Sequence, residues 1–345
     1  MNRTNARYAF ISAYLKGEET RLVTAGHMEE MMRSAENIQE ALEIMGDSDM
    51  GEYLLARPVT TFDDADTHLW RYMGECLRRL EILFIPPEMT RLVNLYVEKY
   101  DVLNIMIKLR MMLRNETASF VPLGSMYKRD YLEKMSGAQE LEDAYEILAK
   151  CNLGDYIRII ENSPVTDAPA VSEAEVRLRN HYNRKLLNSF RHMPDGQLLT
   201  QVFEGVIDRA NLQTVFRMSL GGDYAGNAPI LSGGRALSEE LIKELLTMKL
   251  PEIAGKLENT GYHAMAQDIS REYEKDKDIN IIDTITEKYG FHMLKNLLSP
   301  RVLSPSTMIW YLLMKEREIR NVRLVLRMLT DGIPGEEIRD MVIAA

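Results

Sequence analysis

The run Asp63-Asp64-Ala65-Asp66 is the densest set of carboxylates in the chain and the first candidate for chemistry. Aspartates one helical turn apart can hold magnesium against a diphosphate, but a DDxxD arrangement needs an acid at its fifth position, and Thr67 stands there. The run also precedes the helical tract His68 to Leu83, where acids are accounted for by capping and by the helix dipole. An aspartate-rich, magnesium-dependent enzyme is therefore the weakest of three readings.

The other reactive side chains do not assemble into a site either. His27, His68, His181, His192, His263 and His292 include no HExxH pair. His181 and His192 could share one helix, with no carboxylate pattern to complete a centre. Gly221-Gly222 and Gly233-Gly234 lack the GxxxxGK[ST] that cradles phosphate; the second pair instead leads into Ser238-Glu239-Glu240, a helix start with a capping serine. Cys76 and Cys151 are too few and too far apart for a zinc site and read as reduced thiols. Met28, Met31 and Met32 read as packing residues. No catalytic, cofactor-binding or metal-ligating set emerges, and no cofactor is expected.

Bulk properties narrow the class. The net charge of −10 argues against a nucleic-acid binder, which needs a basic face. No apolar run approaches the ~20 residues of a membrane span, and Met1 to Arg7 leads into no hydrophobic signal core. A protein at the cytoplasmic face of a membrane complex is compatible with this.

The elements that would position any site are helical throughout. Glu, Leu, Met, Lys and Arg dominate, and no period-2 strand with hairpin chemistry is found. The expected fold class is all-α. Breakers gather at Ser163 to Pro169, at Gly221 to Pro229 and at Ser299 to Pro305. Two tracts, Leu92–Leu113 and Met308–Leu329, carry apolar faces wide enough to need neighbours on more than one side.

A repeat organises the chain. Asp101-x-x-Asn104-Ile105, Asp208-x-x-Asn211-Leu212 and Glu318-x-x-Asn321-Val322 are each followed by an arginine six residues after the asparagine: Arg110, Arg217 and Arg327. The asparagines lie 107 and 110 residues apart. Gly51-Glu52-Tyr53, Gly154-Asp155-Tyr156 and a shorter Gly261-Tyr262 precede them, and Gly124, Gly233-Gly234 and Gly332 follow them. Acid and amide three apart share a helix face, which suits bonding to neighbouring helix ends; the arginine, nine residues from the acid, points away. The markers divide the chain into three homologous helical domains, 1–125, 126–237 and 238–345.

Tyr311-Leu312-Leu313-Met314-Lys315-Glu316-Arg317-Glu318, running on to Arg323, resembles the signature of the C/d family of rotary A-type and V-type ATPase subunits. Asn104-Ile105, Asn211-Leu212, Pro122-Leu123-Gly124 and Gly233-Gly234 match that family's recurrent motifs; Tyr8, Ala13, Tyr14 and Lys16 match its N-terminal pattern in part, with Tyr14 where the family has arginine. The resemblance covers the whole chain. It implies a pseudo-threefold funnel of helical domains lying on the membrane rotor ring of proteolipid subunits. The D and F subunits of the central stalk would insert into the funnel, and torque would pass through it without covalent chemistry. The competing reading is an all-α repeat scaffold unrelated to ATPases; a repeat near 108 residues is far longer than those of ordinary α-solenoids.

Overall fold

The computed structural model describes residues 3–83, 85–163, 166–221 and 228–343. Parts of two expected breakers, residues 164–165 and 222–227, lie outside them. The described residues are helical and contain no strand. After α1 (Arg3–Glu19), short helices α2 (Ala25–Ser34), α3 (Ile38–Ile44) and α4 (Asp49–Leu55) lead to a long pair, α5 (Phe62–Ile82) and α6 (Pro87–Arg114). The order then recurs. Short α7 (Gly124–Lys128), α8 (Leu132–Gly137), α9 (Leu141–Lys150) and α10 (Gly154–Glu161) precede long α11 (Ala168–Phe190) and α12 (Gly196–Gly221). Short α13 (Glu239–Leu245), α14 (Leu250–Lys256) and α15 (His263–Asp276) precede long α16 (Ile281–Leu298) and α17 (Ser306–Asp331), before α18 (Gly335–Ile338).

Local chemistry sets several of these starts. Thr61 and Asp64 form a reciprocal capping box on α5, and Thr24 and His27 do the same on α2. Asn37, Ser48, Asp167 and Ser238 each accept an N–H bond at the start of α3, α4, α11 and α13.

Packing does not follow chain order. Residues up to 94 and those from 298 onward form one compact unit, here the terminal unit; residues 95–297 form the middle unit. Helix α17 packs against α1, α2, α3 and α5, from the opposite end of the chain. Met308, Ile309, Trp310, Tyr311 and Leu312 are all buried, so this part of α17 is covered around its circumference. The middle unit contains a core of Leu212, Phe216, Leu245, Ile253, Ile269 and Ile282, contributed by α12 to α16.

The repeated glycines answer to the repeated acids. A Cβ on Gly124, whose φ is +92°, would lie 2.5 Å from Asp101 Oδ1. In the next copy the two demands fall on separate residues: Gly233 takes φ +100°, and a Cβ on Gly234 would lie 2.1 Å from Asp208 Oδ1. Gly124→Ala should therefore destabilise the protein by about 2–4 kcal/mol, combining left-handed strain with a displaced, hydrogen-bonded carboxylate. Gly137→Ala, where a Cβ meets nothing within 4 Å, should be near neutral. Urea midpoints followed by far-UV circular dichroism would check both.

Candidate functional site

The three Asp/Glu-x-x-Asn motifs sit on the second long helix of each pair and do the same work. Asn104 Nδ2 donates to the Val121 carbonyl at 2.9 Å, and the Val121 N–H returns a bond to Oδ1 at 2.8 Å. Asn211 brackets Leu231 in the same way, at 2.8 Å both ways. Asn321 brackets Ile343, at 2.9 and 3.3 Å. An amide has one acceptor and one donor group to match a peptide unit, and all three asparagines are buried, so each satisfies a segment that has no ladder of its own.

The acids hold the turns beyond. Asp101 accepts from the N–H groups of Ser125 and Met126 at 2.7 and 2.9 Å. Burial nevertheless pushes its carboxyl up to about 6, against those two bonds. Asp208 accepts from Arg235, Ala236 and Leu237 at 3.1, 2.8 and 3.3 Å, and from the Tyr262 hydroxyl at 3.2 Å. Glu318 reaches the Val23 N–H at 2.8 Å, just ahead of α2. The third copy's turn is thus Leu22-Val23-Thr24 near the chain start rather than Gly332, which closes the C-terminus of α17 with φ +67°. Glutamate is one methylene longer than aspartate, so its carboxylate meets the backbone at Leu22-Val23-Thr24, where no glycine stands.

Around Glu318 lies a buried ion network of the terminal unit. Lys315, fully buried one turn earlier on α17, donates to Glu318 Oε2 at 3.2 Å and to the Tyr72 hydroxyl at 2.6 Å. Tyr72 donates in turn to Asp49 Oδ2 at 2.9 Å, and Arg79 Nη1 reaches the same oxygen at 2.9 Å. The two cations and two carboxylates balance, which is what allows such charges to be buried. Burial would raise the Asp49 carboxyl, but the bonds from Tyr72 and Arg79 win and hold it below the ordinary range. Glu318 stays raised by burial, with Lys315 and Val23 opposing. Burial pushes the neighbouring Cys76 thiol up to about 11 and raises Tyr72 and Tyr311 as well. At neutral pH this thiol and these hydroxyls keep their protons, so the network is built to hold α5 and α17 together with the segment entering α2.

The position three residues before each acid shows how the copies diverge. It is Lys315 in the terminal unit, paired with Tyr72. It is Glu98 on α6, bonded by Lys185 at 2.7 Å and by the Tyr156 hydroxyl at 2.7 Å. It is Gly205 on α12, where a Cβ would meet the Met293 methyl at 3.0 Å. The arginines on the far face also find partners: Arg110 Nη2 binds Glu175 at 2.7 Å, Arg217 pairs with Asp283, and Arg327 binds Asp331 at 2.7 Å.

The residues singled out from the sequence for catalysis are scattered. Helix α5 begins at Phe62 rather than His68, which puts Asp63 and Asp64 inside its first turn. Asp64 is held at about 2 by bonds from Thr61 and Thr60, Asp66 pairs with Arg323, and Asp63 is exposed. His27 caps α2 and lies 3.0 Å from Asp47. His181 contacts Asp155 at 2.9 Å, and His263 Nδ1 donates to the Ala254 carbonyl at 2.9 Å. His192 lies past the end of α11, which stops at Phe190. Among the described residues no three His, Cys, Asp or Glu side chains converge as metal ligands, and no helix is long and apolar enough to cross a membrane.

Sequence reasoning left the partners of Lys315 unassigned. A lysine and a glutamate three apart, directly after the apolar run Met308 to Met314, are the sequence signal of a buried pair. Nothing local pointed to Tyr72 or Asp49.

The chain is 26% identical over 352 residues to the C subunit of the A-type ATP synthase of Thermococcus onnurineus, covering 97% of this chain and 90% of that one. It is 27% identical over 348 residues to its counterpart in Thermococcus kodakarensis, with the same coverage. To the counterpart in Methanocaldococcus jannaschii it is 22% identical over 356 residues, covering 98% and 87%. The family model described as ATP synthase (C/AC39) subunit matches residues 11–341, across both units and all three seam motifs, and the chain belongs to that family.

Proposed function

We propose that this chain is the non-catalytic central-stalk component of a rotary A/V-type ATPase or ATP synthase. It would be a socket that joins the D and F stalk subunits to the membrane rotor ring of proteolipid subunits at the cytoplasmic face. It carries torque between ATP chemistry and ion transport and makes no covalent bond itself. The observation that carries this reading, beyond family membership, is the same hydrogen-bonded seam on α6, α12 and α17. A part that transmits force needs its segments pinned, and buried reciprocal bonds pin them.

The seam also supports three homologous helical domains, since the second long helix of each copy carries the same acid and asparagine; the pseudo-threefold funnel is what the family resemblance implies. The alternative, a repeat scaffold unrelated to ATPases, loses its ground with family membership. Purification from gently solubilised membranes tests the assignment. The chain should co-purify with the ATP-hydrolysing head and the ring, and its deletion should leave head ATPase intact while abolishing ATP-driven ion transport. Recovery solely as a free protein would overturn it.

A further inference from the structure

The first two copies of the seam are each closed by one continuous segment: Val121 and Ser125 for α6, Leu231 and Arg235 for α12. The third is closed by two pieces from opposite ends of the chain, Ile343 for Asn321 and Val23 for Glu318. We propose that residues 8–24 form a latch. This strap releases from α17 as a unit and opens the terminal unit over Lys315, Glu318 and Cys76 while the rest stays folded.

The strap is held at few points. Among its side chains Tyr8, Ile11, Ser12, Leu15, Leu22 and Val23 are buried, while Phe10 is 60% exposed. Ser12 Oγ lies 3.4 Å from Thr307 Oγ1 and accepts from the Leu303 N–H at 3.2 Å. Tyr8 donates to Glu88, Arg21 binds Glu52 at 2.8 Å and its carbonyl accepts from the Asp49 N–H at 3.0 Å, and the Val23 bond to Glu318 fixes the far end. Six buried side chains and a few bonds must offset the ordering of the 17 residues 8–24, whose helical part is marginal when detached. Segments so balanced open below the global transition. On the strap's inner side Glu18 pairs with Arg79 at 3.6 Å, and Tyr14 lies within electrostatic reach of Cys76 and Tyr311. Release therefore opens a route to the Cys76 thiol. The latch stands on the terminal unit alone and does not depend on the stalk and ring contacts proposed above.

The two cysteines make this measurable, since Cys76 lies in the terminal unit and Cys151 in the middle unit, both buried. Native protein is labelled with N-ethylmaleimide, and each site is followed by mass spectrometry. Cys76 should react at least tenfold faster than tryptophan fluorescence reports unfolding of the terminal unit. Leu15→Ala should accelerate Cys76 a further ten- to hundredfold and leave Cys151 unchanged. A Ser12→Cys, Thr307→Cys pair, oxidised to tie α1 to α17, should slow Cys76 to the global unfolding rate relative to its reduced form. The proposal is overturned if wild-type Cys76 reacts only at the global rate, or if the oxidised pair labels Cys76 as fast as the reduced pair.

Discussion

Lys315→Met will destabilise the terminal unit by about 3–5 kcal/mol, the scale on which losing one partner of a buried ion pair strands the other. Methionine fills much of the same volume, so the effect is electrostatic rather than a cavity. Glu318 would keep the Val23 N–H and lose its cation, and Tyr72 would lose a donor. Adding Glu318→Gln should recover about half the loss or more, because both buried charges are then gone. The loss also has a pH signature. Burial already raises the Glu318 carboxyl, and without Lys315 it rises further, so the folded state binds a proton that the unfolded state does not. Stability of the Lys315→Met protein should therefore be greatest at and below the ordinary carboxylate range near 4, fall as pH rises from there to the folded-state value, and level off above it. Trp70 and Trp310 are the chain's two tryptophans and both lie in the terminal unit, so urea unfolding read by intrinsic fluorescence reports this effect selectively. A variant within about 1 kcal/mol of wild type at pH 8 would show that the pair is not buried as described.

The second large effect concerns the asparagines. Asn104→Ala and Asn321→Ala should each cost about 2–4 kcal/mol, since each strands one buried backbone N–H and one buried carbonyl, and Asn211→Ala about 1–2 kcal/mol, because the Leu231 groups it brackets are half-buried. Asn→Asp is the sharper substitution. It preserves shape and the acceptor but turns the donor into a second acceptor facing a carbonyl, so it should cost at least as much as alanine at neutral pH. The fluorescence transition should move for Asn321, whereas Asn104 and Asn211, in the middle unit, should shift the circular dichroism transition. A measurable cost at all three positions, smallest at Asn211, would establish the seam as one device used three times.

Much of this was legible in the sequence because its signals are local. The expected tracts Leu92–Leu113 and Met308–Leu329 lie inside α6 and α17, and Ser238 caps α13 as its type and neighbours indicate. The spaced asparagines marked the seam because three copies had to keep the same amide. Pairings between distant segments left no such trace. Lys315 and Tyr72 are 243 residues apart, and the tyrosine looks like any core aromatic. In sequence Gly332 matches Gly124 and Gly234, as the glycine that follows the third asparagine. The longer Glu318 side chain instead binds a turn that lies near the other end of the chain. The start of α5 was placed late because its first turn is polar, and a capped helix start carries no apolar stripe until Ala65 and Leu69.

Both chain ends belong to one compact unit, and synthesis runs in one direction. At roughly 5–20 residues per second, residues up to 94 leave the ribosome some ten to forty seconds before α17, against which α1, α2, α3 and α5 pack. The middle unit can complete itself during that interval from residues already made. The apolar faces of α1 to α5 must wait, uncovered, for their partner. A nascent chain of this protein thus assembles from its interior outward, and the exposed N-terminal stretch is where a chaperone holding such surfaces would be needed most.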